Sequence, residues 1–425
     1  MSDDITSEEI EEQIAFSNVV ATFEQYESYA LSANHRRRKD YYRLPKADQE
    51  YLEKLGYKKK LSAVDDAIHE NALFLRKIVA DPAIFAATQD VRDMEEGEEE
   101  HEDHDHHQSS GPSHSHSHGD GQPHSHSHSH SHTQSHTPGH RPEQKRKRRY
   151  RPTPHDVDKL MSTIKQFVRD WSEEGKIERD QCYKPIKEAL LKHYSHVPAD
   201  ERSQLRVLTP GAGLARLSLD VAQLGFSCQG NEFSHYMLLP SFFMLNRTDQ
   251  IHEHTIYPYV HSFSNLPDRD ALLRPVRIPD ILPSNIPKGV DFSLVAGDFE
   301  EIYGATTTTN KGHEPQDGEW DAILTCFFID TAKNIVNYLR ILHRILAPGG
   351  VWINMGPLLW HFENNTTNDI SVELDLEEVK TLAREIGFDI KDEREISTSY
   401  TTNHQSMLSH VYKAHFWTAT KRESQ

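Results

Sequence analysis

One stretch, RVLTPGAGLARLSLDVAQLGFSCQGNEFS from Arg206 to Ser234, constrains the architecture of this chain more than any other. Arg206 to Thr209 reads as a short strand, Gly211-Ala-Gly213 as a tight turn, Leu214 to Leu224 as an amphipathic helix, and Phe226 to Gly230 as a second strand leading to Glu232. Two strands joined through a helix run parallel, and a parallel sheet needs helices on its faces, so the expected class is α/β. The glycines let main chain approach a ligand closely, and the start of the helix adds its dipole. Glu232 follows the glycines by about 20 residues, the distance at which an acid meets ribose hydroxyls in nucleoside-binding folds.

Two nucleoside cofactors compete for such a turn. A dinucleotide needs the cradle G-x-G-x-x-G, and here the third position is Arg216, whose side chain is expected to obstruct close packing of helix on strand. S-adenosylmethionine has no phosphate to cradle and tolerates that change. The downstream rhythm agrees. Phe292 to Asp298 reads as a strand ending in an acid placed for an adenine, and Trp320 to Ile329 as a further strand. A helix from Ala332 to Leu346 follows, with Pro348-Gly349-Gly350 as its stop and Val351 to Met355 as another strand. This alternation predicts a Rossmann-like methyltransferase sheet.

Two placements remain open on local grounds. Asp330, in TCFFIDTAKN, stands at the carboxyl end of an inner strand, where open α/β sheets bind ligands; alternatively it caps the next helix, a role Thr331 could also fill. A helix starting at Thr153-Pro154 buries a stripe through Leu160, Ile164, Phe167 and Trp171. Gln166 and Arg169 share another of its faces, which is either solvated or placed to meet a ligand carboxylate.

Composition divides the remainder into an N-terminal helical region (1–92), an insert (93–150) and the sheet-bearing domain (151–425). Phe16, Val19, Val20, Phe23 and Tyr26 form one helical stripe, and Ile68, Ala72, Leu73, Leu75 and Ile78 another. The insert runs from DMEEGEEEHEDHDHHQ through a His-Ser alternation to the basic Lys145–Arg149. It can bury too little apolar surface to offset its ordering entropy, so disorder is expected. Alternating histidines bind metals loosely, without the fixed geometry of a working site, so no metal site is expected; a non-enzymatic metal-buffering role for the tract is the rival class. The basic run is either a nuclear-import signal or a counterweight to the acidic block.

A net charge of −19 argues against a nucleic-acid partner. Three scattered cysteines give no disulfide framework, the acidic start is unlike a secretory signal, and no run reaches the roughly 20 apolar residues of a membrane span. The expectation is a soluble cytoplasmic protein without a membrane partner, with the nucleus left open by the basic run.

The segments PGAGLARL, QGNEFSHYMLLPSFFMLN, YPYVHSFSN, AGDFEEIY, TCFFIDTAKN and PGGVWINMGPLLWHFEN, in this order, resemble the carnosine N-methyltransferase family over about Val157 to Trp417. The resemblance implies a seven-stranded S-adenosylmethionine-dependent methyltransferase domain that methylates the imidazole of a small histidine-containing peptide, with a protein histidine or another small molecule as the alternative acceptor, and a homodimer. Carried over by motif, Gln166 and Arg169 reach the methionine portion of the cofactor, Gly211 and Gly213 its main-chain side, Glu232 the ribose, and Asp298 with Phe299 the adenine; Cys326 borders the same site. Asp330, His361 and Tyr400 hold the acceptor, which favours the ligand reading of Asp330. One departure is Ala215, where the family usually has Gly before Arg; the added methyl is expected to alter helix packing only. The polar stretch Ala305 to Gly318 is expected to be a surface loop.

Overall fold

A computed structural model of the chain describes residues 7–81, 150–306, 314–366 and 369–422. The expected insert, but for Tyr150, and the middle of the expected polar loop lie outside the described residues. Seven strands form one sheet: β1 (Arg206–Pro210), β2 (Ser227–Glu232), β5 (Phe292–Ala296), β6 (Trp320–Cys326), β7 (Leu346–Gly356), β8 (Phe388–Thr398) and β9 (Tyr412–Lys421), in the order β5-β2-β1-β6-β7-β9-β8. The first five are parallel, and β9 runs antiparallel to both β7 and β8. β3 (His254–Ile256) and β4 (Val276–Ile278) make a separate antiparallel pair. The chain order reverses between β1 and β6, which opens a crevice at their carboxyl ends.

Helices cover both faces. They are α1 (Ser7–Arg43), α2 (Lys46–Lys54), α3 (Tyr57–Ile78), α4 (Pro154–Trp171), α5 (Lys176–His193), α6 (Arg216–Gln223), α7 (His235–Asn246), α8 (Asp270–Leu273), α9 (Phe299–Tyr303), α10 (Ile335–Ile345) and α11 (Leu376–Ile386). Neighbouring residues of one strand point to opposite faces. Ile323, Trp352 and Trp417 therefore pack with Leu339 and Ala383 of α10 and α11, while Leu324, Ile353 and Phe416 pack with Ile186 and Val221 of α5 and α6. A third cluster joins Phe23, Ile68 and Leu75 of the N-terminal helices to Phe167, Phe243 and Ile256. The two N-terminal stripes are thus real, except that Leu73 faces solvent and Phe74 lies inside, edge-on to Phe167 at 5.1 Å. Among the described residues no helix is long and apolar enough to cross a membrane.

The expected start of α4 is confirmed by a capping box: the Thr153 hydroxyl accepts from the Asp156 N–H, the Asp156 carboxylate accepts from the Thr153 N–H, and Pro154 fills the first helical position. Several boundaries differ from expectation. β6 stops at Cys326 rather than Ile329, because Phe327 turns the chain with a φ of 55°. Neither Asp330 nor Thr331 caps α10; Asn334 does, accepting from the Val336 N–H at 3.1 Å. Pro348-Gly349-Gly350 lies within β7, at its irregular start, instead of ending the helix.

Arg216 and Ala215 also behave differently from the sequence reading. Arg216 does not obstruct α6; its guanidinium turns away and pairs with Asp220 at 2.8 Å and Asp280 at 2.6 Å. Ala215 is buried with a φ of 63°, the left-handed region in which a Cβ is unfavourable, so the methyl acts through backbone strain more than through packing. Replacing Ala215→Gly should raise the unfolding free energy by up to about 1 kcal/mol, since relief of strain exceeds the entropy that glycine adds to the unfolded chain. A thermal melt of the two proteins checks this; a lower midpoint in the variant would show that the methyl contributes packing worth more than the strain.

Candidate active site

The glycine turn sits over the carboxyl end of β1. Gly211 and Gly213 have φ of 68° and 56°, and a Cβ on Gly211 would stand 2.6 Å from the Phe328 ring, so glycine is required there on both counts. Glu232, the last residue of β2, faces the turn. Its Oε2 accepts from the Gly213 N–H at 2.7 Å, and its Oε1 accepts from the N–H groups of Phe233 and Ser234 at 3.0 and 2.8 Å. Burial pushes its pKa up, against the pull of these three donors. Glu232 thus braces the turn. Its carbonyl accepts from the Gly297 N–H at 2.9 Å, which brings Asp298 to the same edge.

Asp298 is the N-cap of α9, its Oδ1 accepting from Glu300 and Glu301 N–H at 2.7 and 3.2 Å. The ring of Phe299 is buried among Tyr303, Phe328 and Tyr338, with centroids 5.1 to 5.4 Å away.

From the opposite side α4 brings Gln166 and Arg169. The Gln166 Oε1 lies 3.7 Å from where a Cβ on Gly213 would stand. Arg169 is buried, not solvated: its guanidinium lies 4.7 Å from the Tyr400 ring centroid and 4.9 Å from that of Tyr183, and its Nη2 lies 4.0 Å from Cys326 Sγ. Among the described residues its nearest carboxylate partner is Asp170 at 3.8 Å, and its Nε has no hydrogen-bond partner. A buried guanidinium left with an idle donor fits a ligand carboxylate. The thiol of Cys326, at the end of β6, is pushed up by its hydrogen bond with Cys182 and by burial.

Beyond Cys326 the chain passes through the strained Phe327 into a single 3-10 turn, Ile329–Thr331, which carries Asp330. Asp330 is 3% exposed. Its Oδ2 accepts from the Leu359 N–H at 2.9 Å, while its Oδ1 is buried and has no partner among the described residues. Its carbonyl accepts from the His361 N–H at 3.1 Å, which fixes the main chain of His361 beside it. Burial pushes the Asp330 carboxyl up to about 7, with the main-chain N–H groups of Leu359 and of Asp330 itself opposing. The ring of Phe327 packs on Tyr400 at 4.9 Å and edge-on to Tyr412 at 5.7 Å. Burial raises the Tyr412 phenol, and the negative charge of Asp330 raises it further, which places Tyr412 within electrostatic reach of the carboxylate.

Tyr412 and Phe327 were missed in the sequence. Phe327 was hidden in an apolar run read as strand to Ile329. Tyr412 opens β9 opposite Thr398, and only the pairing of β8 with β9 carries it to the crevice. The structure therefore brings Gln166, Arg169, Gly211, Gly213, Glu232, Cys326, Asp330 and Tyr400 to one edge of the sheet, with Asp298 and the main chain of His361 flanking.

Two outcomes follow for the carboxylates. Glu232→Ala should lower the stability of the ligand-free chain by about 1–3 kcal/mol, since three N–H groups lose their acceptor; denaturant titration measures it, and an unchanged midpoint would show that the turn stands without Glu232. Asp330 works the other way. A carboxyl whose folded pKa exceeds its unfolded value destabilises the fold progressively as pH rises between the two, here from about 4 to about 7. The stability of Asp330→Asn relative to the parent should therefore improve over that interval, by a few kcal/mol at about 1.4 kcal/mol per pKa unit, and level off above it. A flat difference would place the carboxyl in the ordinary range.

Residues 146–423 match the carnosine N-methyltransferase family. Curated relatives carrying that name include a mouse protein, 47% identical over 259 residues (61% of this chain, 62% of the mouse protein), and a Dictyostelium discoideum protein, 46% identical over 265 residues (61% and 54%). A fission-yeast relative, from Schizosaccharomyces pombe, is 42% identical over 279 residues (63% and 72%). The chain thus spans less than two thirds of the first two. Among solved structures, the CurJ carbon methyltransferase is 12% identical over 62% of this chain and 58% of its own, with a TM-score of 0.36, too loose a likeness to bear on the site. By the extent of the family match, and by the fission-yeast relative, this chain belongs to the carnosine N-methyltransferase family.

Proposed function

We propose that this chain transfers a methyl group from S-adenosylmethionine to an imidazole nitrogen of a small histidine-containing dipeptide of the carnosine type. The cofactor supplies an electrophilic methyl on a sulfonium. The residues present fit it: the idle Nε of Arg169 suits the methionine carboxylate, the glycine turn admits main chain close to a ligand, and Glu232 retains accepting capacity for hydroxyls beyond its three N–H bonds.

The acceptor side rests on one observation, the unpartnered Oδ1 of Asp330. A buried acceptor without a donor costs about 1–3 kcal/mol, and an imidazole N–H satisfies it. The atom has no solvent contact either, so the side chains over it must yield to admit a ring. Methyl transfer needs a neutral imidazole lone pair aligned with the methyl carbon, and the ring becomes a cation as the bond forms. A carboxylate that accepts from the non-reacting N–H fixes the tautomer, makes the other nitrogen the better nucleophile and stabilises the growing charge. Tyr400, Phe327 and Tyr412 supply aromatic walls for such a ring.

Purified protein incubated with labelled cofactor and a panel of imidazole dipeptides tests the reading; transfer to none of them overturns it. Asp330→Asn should bind cofactor as the parent does and lose roughly 10²-fold or more in turnover. The pH profile adds an independent sign. The parent's kcat/KM should rise through the range where Asp330, at about 7, and a free imidazole, at about 6.5, both deprotonate. The residual activity of Asp330→Asn should follow the imidazole alone, with a lower midpoint.

A further inference from the structure

The loop between β8 and β9 holds Tyr400, and its main chain is anchored from α5. Glu178, in the first turn of α5, is 2% exposed. Its Oε1 accepts from the Ser399 hydroxyl at 2.8 Å and the Thr402 N–H at 2.9 Å, and its Oε2 accepts from the Thr401 N–H at 2.9 Å. Gln181 and Cys182, three and four residues on and so on the same helical face, reach the same segment: the Gln181 Oε1 accepts from the Ser399 N–H at 3.4 Å, and Cys182 Sγ lies 3.0 Å from the Thr398 hydroxyl. Thr401 is held in the left-handed region, with a φ of 51°.

All the groups that meet Glu178 here are donors, and a carboxylate offers only acceptors. The buried charge is balanced by two main-chain N–H groups, a hydroxyl and the start of a helix, rather than by a cation in ion-pair range among the described residues. Space filling alone does not require a charge at such a position, because burying an anion is costly. What the charge achieves is to fix residues 399, 401 and 402 at once, on both sides of Tyr400, whose ring then stands between Arg169 and Phe327.

We propose that Glu178 is a positioning residue for the acceptor: through Ser399, Thr401 and Thr402 it sets the place of Tyr400 in the wall of the imidazole site. This rests on the methyl-transfer reading above. Glu178→Gln keeps the shape and replaces one acceptor by an NH2, which meets the N–H of Thr401 donor to donor. The variant should raise the acceptor KM roughly tenfold, leave the cofactor Kd within about twofold, and speed hydrogen exchange at the amides of Thr401 and Thr402. Ser399→Ala, which removes one donor from a partly exposed position, should shift KM the same way by less. A purely structural role would lower the melting temperature with the acceptor KM unchanged. An unaltered KM in Glu178→Gln, or in Ser399→Ala if the first variant does not fold, overturns the proposal; so does unaltered exchange at Thr401 and Thr402. Failure of the parent on every imidazole dipeptide overturns the methyl-transfer reading instead, and the exchange measurement still decides whether Glu178 clamps the loop.

Discussion

The crevice depends on one buried carboxylate, Asp280. It lies between two buried guanidiniums, those of Arg179 and Arg216, and its N–H donates to the carbonyl of Trp171 at 3.0 Å. Arg179 also donates to the carbonyls of Arg169 and Ser172 at 2.6 and 2.8 Å, and Arg216 to that of Asp170. The end of α4, the start of α5 and the helix after the glycine turn are thereby tied to one another through two guanidiniums that share one carboxylate. A buried ion pair contributes little net stability by itself, but losing one member leaves the others uncompensated. The consequence here is geometric. The main chain of Arg169 is held from behind by Arg179, so its side chain can lie among aromatic rings with an idle Nε instead of folding back to find a partner.

The carboxylates of the crevice contrast with that ion-paired cluster and with each other. Glu232 has three main-chain donors, and burial still raises its pKa; Asp330 keeps its Oδ1 without a hydrogen-bond partner among the described residues, and burial pushes its carboxyl up to about 7. The difference follows from the chain on either side. Glu232 ends a strand beside the start of a helix, where N–H groups are abundant. Asp330 sits on a short 3-10 turn reached through Phe327, whose unfavourable φ turns the chain out of β6. Strain at Phe327 and the unmet oxygen of Asp330 are two parts of one arrangement, in which the local structure is less stable than it could be.

The half of the site built from local sequence was readable in advance. Strand, glycine turn, helix and acid occur within 30 residues, and the structure places Gly211, Gly213 and Glu232 as that spacing requires. Boundaries were harder, because the apolar run through Phe327 to Ile329 gives no sign of where pairing with β7 ends. Long-range partners were not readable at all. Nothing near Arg216 indicates that Asp280 will meet it, so a residue judged obstructive proves to be the anchor of α6. Ala215 was judged by volume, whereas its effect lies in a dihedral angle that only the fold reveals. Tyr412 depends on a strand register, and periodicity favours a solvated face for Arg169 over one that meets a ligand carboxylate, whereas packing of α4 against the sheet buries it.

The same reasoning explains how a well-placed helix, α4, can follow a long low-complexity stretch in the sequence. Both described flanks are pinned. Asp81 pairs with Arg247 at 3.0 Å, while the carbonyls of Tyr150 and Pro152 accept from Gln25 Nε2 and the Tyr29 hydroxyl at 2.8 and 2.7 Å. The Tyr150 hydroxyl donates to Asp156 at 2.7 Å, inside the capping box that starts α4. The position of Gln166 and Arg169 is therefore set by contacts that begin at Tyr150 and by the packing of α1 and α3 on α4. The N-terminal helices bear on the candidate site in this sense: they hold the helix that carries Gln166 and Arg169.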